Sequence, residues 1–263
     1  MKAVILAGGF GKRLRIASED IPKTMISIVG KPFLEHQIRL LKEQGIKEII
    51  LCVYYMADKI KSYFGDGRNF GVEITYSEED SPLGTGGALK KAEKYLTDTF
   101  LVINSDLYAK LDINKFYEFH KLMKGMGTLG LTNASDALTE GNVLLQGEKI
   151  IGFVDDSKIK SDVTTCGIYL FEPEILKYID AGKKVSLERE TFLDLAKSGL
   201  LYGYKYNEGY FIDIGLPETH DKFKQDIINS LFLKKNNTIR QALQTIENTG
   251  IDLVLIIDEQ KKL

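Results

Sequence analysis

Cysteine is scarce in this chain. Cys52 and Cys166 are too few for a disulfide framework, and both lie in apolar runs, where a thiol reads as reduced and buried. The histidines, His36, His120 and His220, are scattered, so no zinc site can be argued from them. His120 follows Phe116 and Phe119 on a helical stripe and reads as a packed side chain. Neither charge is in surplus: 35 Lys plus Arg face 37 Asp plus Glu, for a net charge of −2. That balance excludes the broad basic surface of nucleic-acid and anionic-membrane binders. No apolar run approaches the ~18–20 residues of a membrane span, and the opening Ala-Val-Ile-Leu-Ala is too short for a signal peptide. A cytoplasmic protein without nucleic-acid or membrane partners is expected.

What is present is a rhythm. Strands are expected over 2–7, 48–54, 72–76 and 100–103. Helices are expected over 33–44 and 57–64, and along the face of Ala88, Leu89, Ala92, Tyr95 and Leu96. Such alternation implies right-handed crossovers between parallel strands. From about residue 127 short strands dominate, over 128–132, 142–145, 149–154, 164–171, 201–206 and 210–214, with helices over 173–179 and 187–197. These read as a mixed continuation of one sheet that covers a second substrate. The expected fold is α/β, a Rossmann-like three-layer sandwich with a mixed, mainly parallel central sheet, spanning residues 1–230.

Ligands of open parallel sheets bind beyond the carboxyl ends of the strands. The first such end is the run Leu6, Ala7, Gly8, Gly9, Phe10, Gly11, Lys12, Arg13, Leu14. Its glycines let main-chain N–H groups approach an anion. Arg15, Lys23 and Lys31 add positive charge, opposed by Glu19 and Asp20. Two familiar glycine loops are excluded. A P-loop fails because Leu6 holds the first glycine position and Arg13 follows Gly11-Lys12; a dinucleotide fingerprint fails because Leu14 holds the third glycine position. Taken alone, the run reads equally well as a glycine turn beside a solvated basic face. Three further features stand out. Pro82 to Ala88 is glycine-rich and opens a helix, where N–H groups are unpaired. Asn104-Ser105-Asp106 ends a strand, and Asp213 closes another. Each has a bland counterpart, a loop feeding a helix or a carboxylate capping a turn.

Together these segments resemble the sugar-phosphate nucleotidylyltransferase family, whose signature L-A-G-G-x-G-x-R-L is followed by a Pro-Lys pair, here Pro22-Lys23. Gly30-Lys31-Pro32 matches the G-K-P that opens the family's next helix, and Phe211 to Glu218 resembles its D-I-G-T-P-E segment. The likeness extends over about 225 residues. Stretches such as Ile21-Pro22-Lys23, Gly30 to Glu35 and Leu83 to Gly87 are most similar to heptose 1-phosphate and mannose-1-phosphate guanylyltransferases. The resemblance implies that Leu6, Ala7, Gly8, Gly9, Gly11, Lys12 and Arg13 hold the nucleotide, with Gly84, Thr85 and Gly87 against base and ribose. It implies catalytic roles for Arg13 and Lys23, and Mg²⁺ on Asp106 and Asp213. A strand-end carboxylate supplies the hard oxygen that Mg²⁺ prefers.

On the acceptor side the chain departs from the family. Phe153-Val154-Asp155-Asp156-Ser157-Lys158 stands where many relatives have Phe-x-Glu-Lys-Pro, so Lys158, or Lys160, would contact the sugar phosphate. Thr165-Cys166-Gly167 replaces Asn-Ala-Gly, while Ser186-Leu187-Glu188 matches S-L-E and makes Glu188 a sugar-hydroxyl acceptor. Glu188 reads equally as an acidic residue in a helix's first turn.

The implied reaction is attack of a sugar 1-phosphate on the α-phosphorus of a nucleoside triphosphate, GTP by resemblance, with release of pyrophosphate, for surface-glycan precursors. A catalytically silent subunit that binds nucleotide for regulation is the alternative; a glycosyltransferase would place Asp-x-Asp where Asn104-Ser105-Asp106 stands. Residues 231–263 resemble the opening helix and strand of a CBS module, incomplete as given: either a module cut short, an arm joining copies of the chain, or a helix and strand that simply pack on the sheet.

Overall fold

The computed structural model describes residues 1–9, 21–133, 142–154, 161–206, 209–234 and 236–257. Its strands are β1 Ala3–Leu6, β2 Ser27–Ile28, β3 Lys31–Pro32, β4 Glu48–Val53, β5 Glu73–Glu78, β6 Phe100–Asn104, β7 Leu107–Ala109, β8 Gly127–Asn133, β9 Asn142–Gln146, β10 Lys149–Val154, β11 Val163–Phe171, β12 Leu201–Lys205, β13 Phe211–Asp213, β14 Phe232–Lys234 and β15 Leu255–Ile257. Its helices are α1 Phe33–Glu43, α2 Ala57–Phe64, α3 Gly84–Lys91, α4 Ile113–Met123, α5 Phe192–Lys197, α6 Pro217–Ser230 and α7 Ile239–Thr249.

Nine strands form one sheet in the order β5-β4-β1-β6-β11-β8-β12-β10-β9. The half from β5 to β6 is parallel, because each strand is followed by a helix that returns the chain to the same end. Alternate residues divide between two faces. Ala3, Ile5, Ile49, Leu51, Leu101 and Ile103 pack with residues of α1, α2 and α4; Val4, Leu6, Ile50, Cys52, Phe100 and Val102 pack with residues of α3 and α5. Burial on both faces explains why these strands read as unbroken apolar runs. The result is the three-layer sandwich expected. Cys52 and Cys166 are free and buried, and His120 is buried with Nδ1 2.7 Å from Thr128 Oγ1, also as expected.

The strand order reverses beside β1. The chain runs outward from β1 through β4 to β5, then returns to β6 on β1's other side, and that reversal opens a crevice between the ends of β1 and β6. One expectation fails here. The strand at the 210–214 stretch does not extend the main sheet; β13 pairs antiparallel with β7 in a separate two-stranded ribbon. The reason lies in its apolar side chains. Ile212 and Ile214 join Tyr108, Phe33, Phe223 and Ile227 in a third core beneath α1 and α6, and Phe223 meets the rings of Phe33 and Tyr108 at centroid distances of 5.3 and 4.9 Å.

In the tail, β14 and β15 pair in parallel and α7 is capped by a reciprocal Thr238–Gln241 box. Ile251 packs on the third core. Ile239 and Leu243 of α7 are 81% and 61% exposed, while Ala242 and Ile246 on the same helix are half-buried, so only part of its apolar stripe faces away from the body. No helix among the described residues is long and apolar enough to cross a membrane.

Candidate active site

The candidate site draws on residues at the ends of several elements around the reversal. β1 delivers Leu6 and Ala7, both buried, and then Gly8 and Gly9. The Ala7 amide donates to Cys52 O at 2.8 Å, so Gly8 and Gly9 are the first residues of the loop past the ladder. A side chain at Gly8 would meet Glu79 Oε1 at 2.6 Å. Glycine there lets Glu79 lie against the loop. Gly11, Lys12 and Arg13 lie outside the described residues, as does Lys158.

Glu79 was not singled out by sequence, since nothing in Ser77 to Pro82 marks one acid above its neighbours. It is 7% exposed, and its Oε2 accepts from the Leu83 amide at 2.7 Å. Burial pushes its carboxyl above the usual range, against the opposing pull of the Leu83 amide and the Lys91 charge.

The β7–β13 ribbon brings the two predicted metal ligands together. Leu107 lies opposite Asp213, and the Ile214 amide donates to Asp106 O at 2.9 Å. Lys23 arrives from the 3-10 turn Lys23–Met25, where its Nζ lies 2.7 Å from Asp106 Oδ2. A Cβ on Gly215 would stand 2.7 Å from Asp213 Oδ1 and 3.5 Å from Lys23 Nζ, so the ammonium neighbours both aspartates. Asp213 Oδ1 also accepts from the Gly215 amide at 2.6 Å. No group of three or more metal-ligating side chains occurs among the described residues. Two neighbouring carboxylates, with phosphate oxygens and water to complete the shell, are nonetheless a donor set that Mg²⁺ commonly takes. The residues fit that ion.

The turn carrying Asp106 is gripped from two sides. Gln37 Nε2, on α1, donates to Asn104 O at 3.0 Å and Leu107 O at 2.6 Å. Gln37 escaped sequence reading; its signal was a polar residue on the buried stripe of Leu34, Ile38 and Leu41. From the other side, Gly167 adopts φ +66°, and a Cβ there would lie 2.0 Å from Leu107 Cδ1 and 2.9 Å from Asn104 Nδ2. Only glycine combines that φ with that closeness.

The glycine-rich start of α3 differs from expectation. The Gly86 and Gly87 amides donate to Val185 O at 2.9 and 3.4 Å, so these N–H groups are engaged by the chain itself. Gly84 has φ +70°, and its Cβ would stand 2.6 Å from the same carbonyl. The glycines thus let the segment 183–187 lie against α3. Glu188 follows that segment, with Oε2 2.9 Å from Thr85 Oγ1 and 3.1 Å from Ser186 Oγ, and Oε1 3.3 Å from Tyr169 OH.

A sheet that reverses beside a glycine turn, with two carboxylates and an ammonium at the neighbouring strand end, is the layout of an α/β protein that handles phosphorylated ligands. The nucleotidyl transferase family model matches residues 2–230, and the chain belongs to that family. It is similar to D-glycero-alpha-D-manno-heptose 1-phosphate guanylyltransferase of Campylobacter jejuni, 37% identical over 85% of this chain and 98% of the relative. The protein of that name from Aneurinibacillus thermoaerophilus is 34% identical over 86% and 98%. Among solved structures, HddC from Yersinia pseudotuberculosis complexed with GMP-PN superposes with a TM-score of 0.74 at 33% identity, over 86% of this chain and 98% of that one.

Proposed function

We propose that this nucleotidyltransferase is a sugar-1-phosphate guanylyltransferase, converting GTP and a heptose or hexose 1-phosphate to a GDP-sugar and pyrophosphate. The observation that carries the reading is the convergence of Lys23, Asp106 and Asp213 beyond the end of β6. The guanylyltransferase relatives, matched over nearly their whole length, support the choice of nucleotide and acceptor.

In this reading the amides of Gly8, Gly9 and Gly11, with Lys12 and Arg13, hold the triphosphate, while Leu6 and Ala7 anchor the loop. Gly84 and Gly87 border the base and ribose, and Thr85 faces the acceptor side through Glu188. Glu79, beside Gly8, is the acceptor that suits guanine, whose N1–H and N2–H₂ present adjacent donors. Lys158 contacts the sugar phosphate, and Gly167 and Glu188 border the sugar. Asp106 and Asp213 would hold Mg²⁺, which when bound neutralises phosphate charge and polarises phosphoryl oxygens. An oxygen of the sugar 1-phosphate attacks the α-phosphorus, and the bond to pyrophosphate breaks. The attacking phosphate is already ionised, so no protein base is required. Lys23 and Arg13 offset charge on the reacting phosphates and align them.

The product suits surface-glycan synthesis in the cytoplasm, and residues 231–263, read as a CBS-like arm that exposes Ile239 and Leu243, would join copies of the chain. The test is product analysis with GTP, UTP, dTTP, CTP and ATP against mannose, glucose and D-glycero-D-manno-heptose 1-phosphates. A GDP-sugar as main product supports the reading; a preference for another base would overturn the guanylyl assignment.

A further inference from the structure

The hydrogen bonds around Glu188 run one way. Thr165 Oγ1 donates to Tyr169 OH at 3.3 Å, and Tyr169 OH donates to Glu188 Oε1 at 3.3 Å. Burial, reinforced by the nearby Glu188 charge, pushes the Tyr169 phenol well above its usual range, so it keeps the proton it donates. Thr85 and Ser186 both donate to Glu188 Oε2. A carboxylate has about four acceptor positions, and among the described residues three are filled, two on Oε2 and one on Oε1, which leaves a position on Oε1.

Thr85 belongs by sequence to the glycine-rich segment of the nucleotide half. Its hydroxyl faces the other way. It accepts from the Leu187 amide at 2.9 Å and gives its single proton to Glu188 at 2.9 Å. The neighbouring glycines serve the same contact, since Val185 N donates to Leu83 O at 2.9 Å and the Gly86 amide returns a bond to Val185 O. Together these bonds tie the start of α3 to the segment bearing Glu188.

We propose that Thr85 is a positioning residue for the acceptor sugar: its hydroxyl fixes Glu188 so that the remaining Oε1 position accepts a hydrogen bond from a sugar hydroxyl. The inference rests on Glu188 bordering the sugar, as proposed above. It assigns Thr85 to acceptor recognition instead of nucleotide contact, and it makes the α3 start a bridge between the two substrate halves. With its hydroxyl committed to Leu187 and Glu188, Thr85 has no second proton to give a nucleotide.

The test is steady-state kinetics on the full chain with GTP and the better acceptor of mannose 1-phosphate and D-glycero-D-manno-heptose 1-phosphate. Thr85→Val and Thr85→Ala should each raise KM for the acceptor roughly tenfold and leave KM for GTP within about twofold, while Thr85→Ser recovers most of the loss. Thermal unfolding identifies any variant that fails to fold, and Thr85→Ala stands in if Thr85→Val does. In a Glu188→Gln background, Thr85→Val should add little further loss, because the two groups act as one unit. An equal rise in both KM values, or full additivity with Glu188→Gln, would overturn the proposal. If Glu188→Gln itself leaves the acceptor KM unchanged, the underlying reading of Glu188 fails. If Glu188→Gln raises it and Thr85→Val does not, the failure is confined to Thr85.

Discussion

The amide of Ile214 donates to the carbonyl of Asp106 at 2.9 Å, and that bond places two aspartates 107 positions apart in sequence side by side (213 − 106). Neither aspartate's neighbourhood in the sequence holds the other. The ribbon of β7 and β13 creates the pair, and the aromatic core under it holds the ribbon in place.

Gln37 keeps the Asp106 turn in position. Gln37→Leu removes two hydrogen bonds to backbone carbonyls, at a cost of about 1–3 kcal/mol. Part of that is offset because Gln37 Oε1 has no partner among the described residues and Leu40, Leu41, Leu101 and Ile103 line the space around it. Turnover should fall at least roughly tenfold at limiting Mg²⁺ and recover partly at high Mg²⁺, as measured by metal titration. A lower melting temperature with an unchanged Mg²⁺ profile would make Gln37 a packing residue alone.

Gly167→Ala should damage both stability and rate. The new methyl would overlap Leu107 Cδ1 and force a strained φ, costing about 1–3 kcal/mol. Because Leu107 follows Asp106 directly, turnover should drop more than the fraction unfolded explains. Circular dichroism melts beside kcat measure both.

Glu79→Gln should raise KM for GTP by about 10–100-fold, the equivalent of about 1–3 kcal/mol, since an amide offers one acceptor oxygen to two guanine donors. The sign of the pH effect follows from burial. A carboxyl whose pKa is raised takes up its proton at a higher pH than usual, so KM for GTP should climb in the wild type as pH falls toward the acid range. Glu79→Gln should be flat there. Equal pH profiles would remove Glu79 from base recognition.

Glu35, 1% exposed, anchors α1 to its surroundings. Its Oε1 meets Arg39 Nη2 at 2.8 Å and Lys31 Nζ at 3.2 Å, and its Oε2 accepts from Tyr63 OH at 2.7 Å. Burial alone would raise its pKa, but Tyr63, Arg39 and Lys31 outweigh that and hold it below the ordinary 4.5. A lowered carboxyl pKa contributes stability above the unfolded value, and the contribution is lost as pH falls through the folded one. Glu35→Gln should therefore cost about 2 kcal/mol near neutrality, less than a fully buried pair because Arg39 and Lys31 keep some solvent. The gap to wild type should close below pH 4.5 in melts taken across the acid range.

Much of the layout was legible beforehand. Phe33–Glu43, Ala57–Phe64 and the parallel strands announced themselves because burial on both faces or on one stripe leaves a periodic trace. Asp106 and Asp213 were legible as candidates because each lies at or just past a strand end within a recognisable run. Glu79, Gln37 and the inward turn of Thr85 were not. Their meaning comes from contacts between residues far apart in sequence, such as Gln37 with Leu107, 70 positions apart, and Thr85 with Glu188, 103 apart, and no local pattern encodes these. The separate β7–β13 ribbon was missed for the same reason, since an apolar strand reads alike whichever partner it takes.

The most direct test of the account is pyrophosphate release from GTP and a heptose or mannose 1-phosphate with Mg²⁺, run on the wild type beside Lys23→Ala and Asp106→Ala. Wild type should release one pyrophosphate per GDP-sugar formed, and each variant should lose about 10²–10³-fold in kcat while still melting cooperatively. Wild-type turnover absent with every acceptor despite tight GTP binding, or near wild-type rates in either variant, would contradict it.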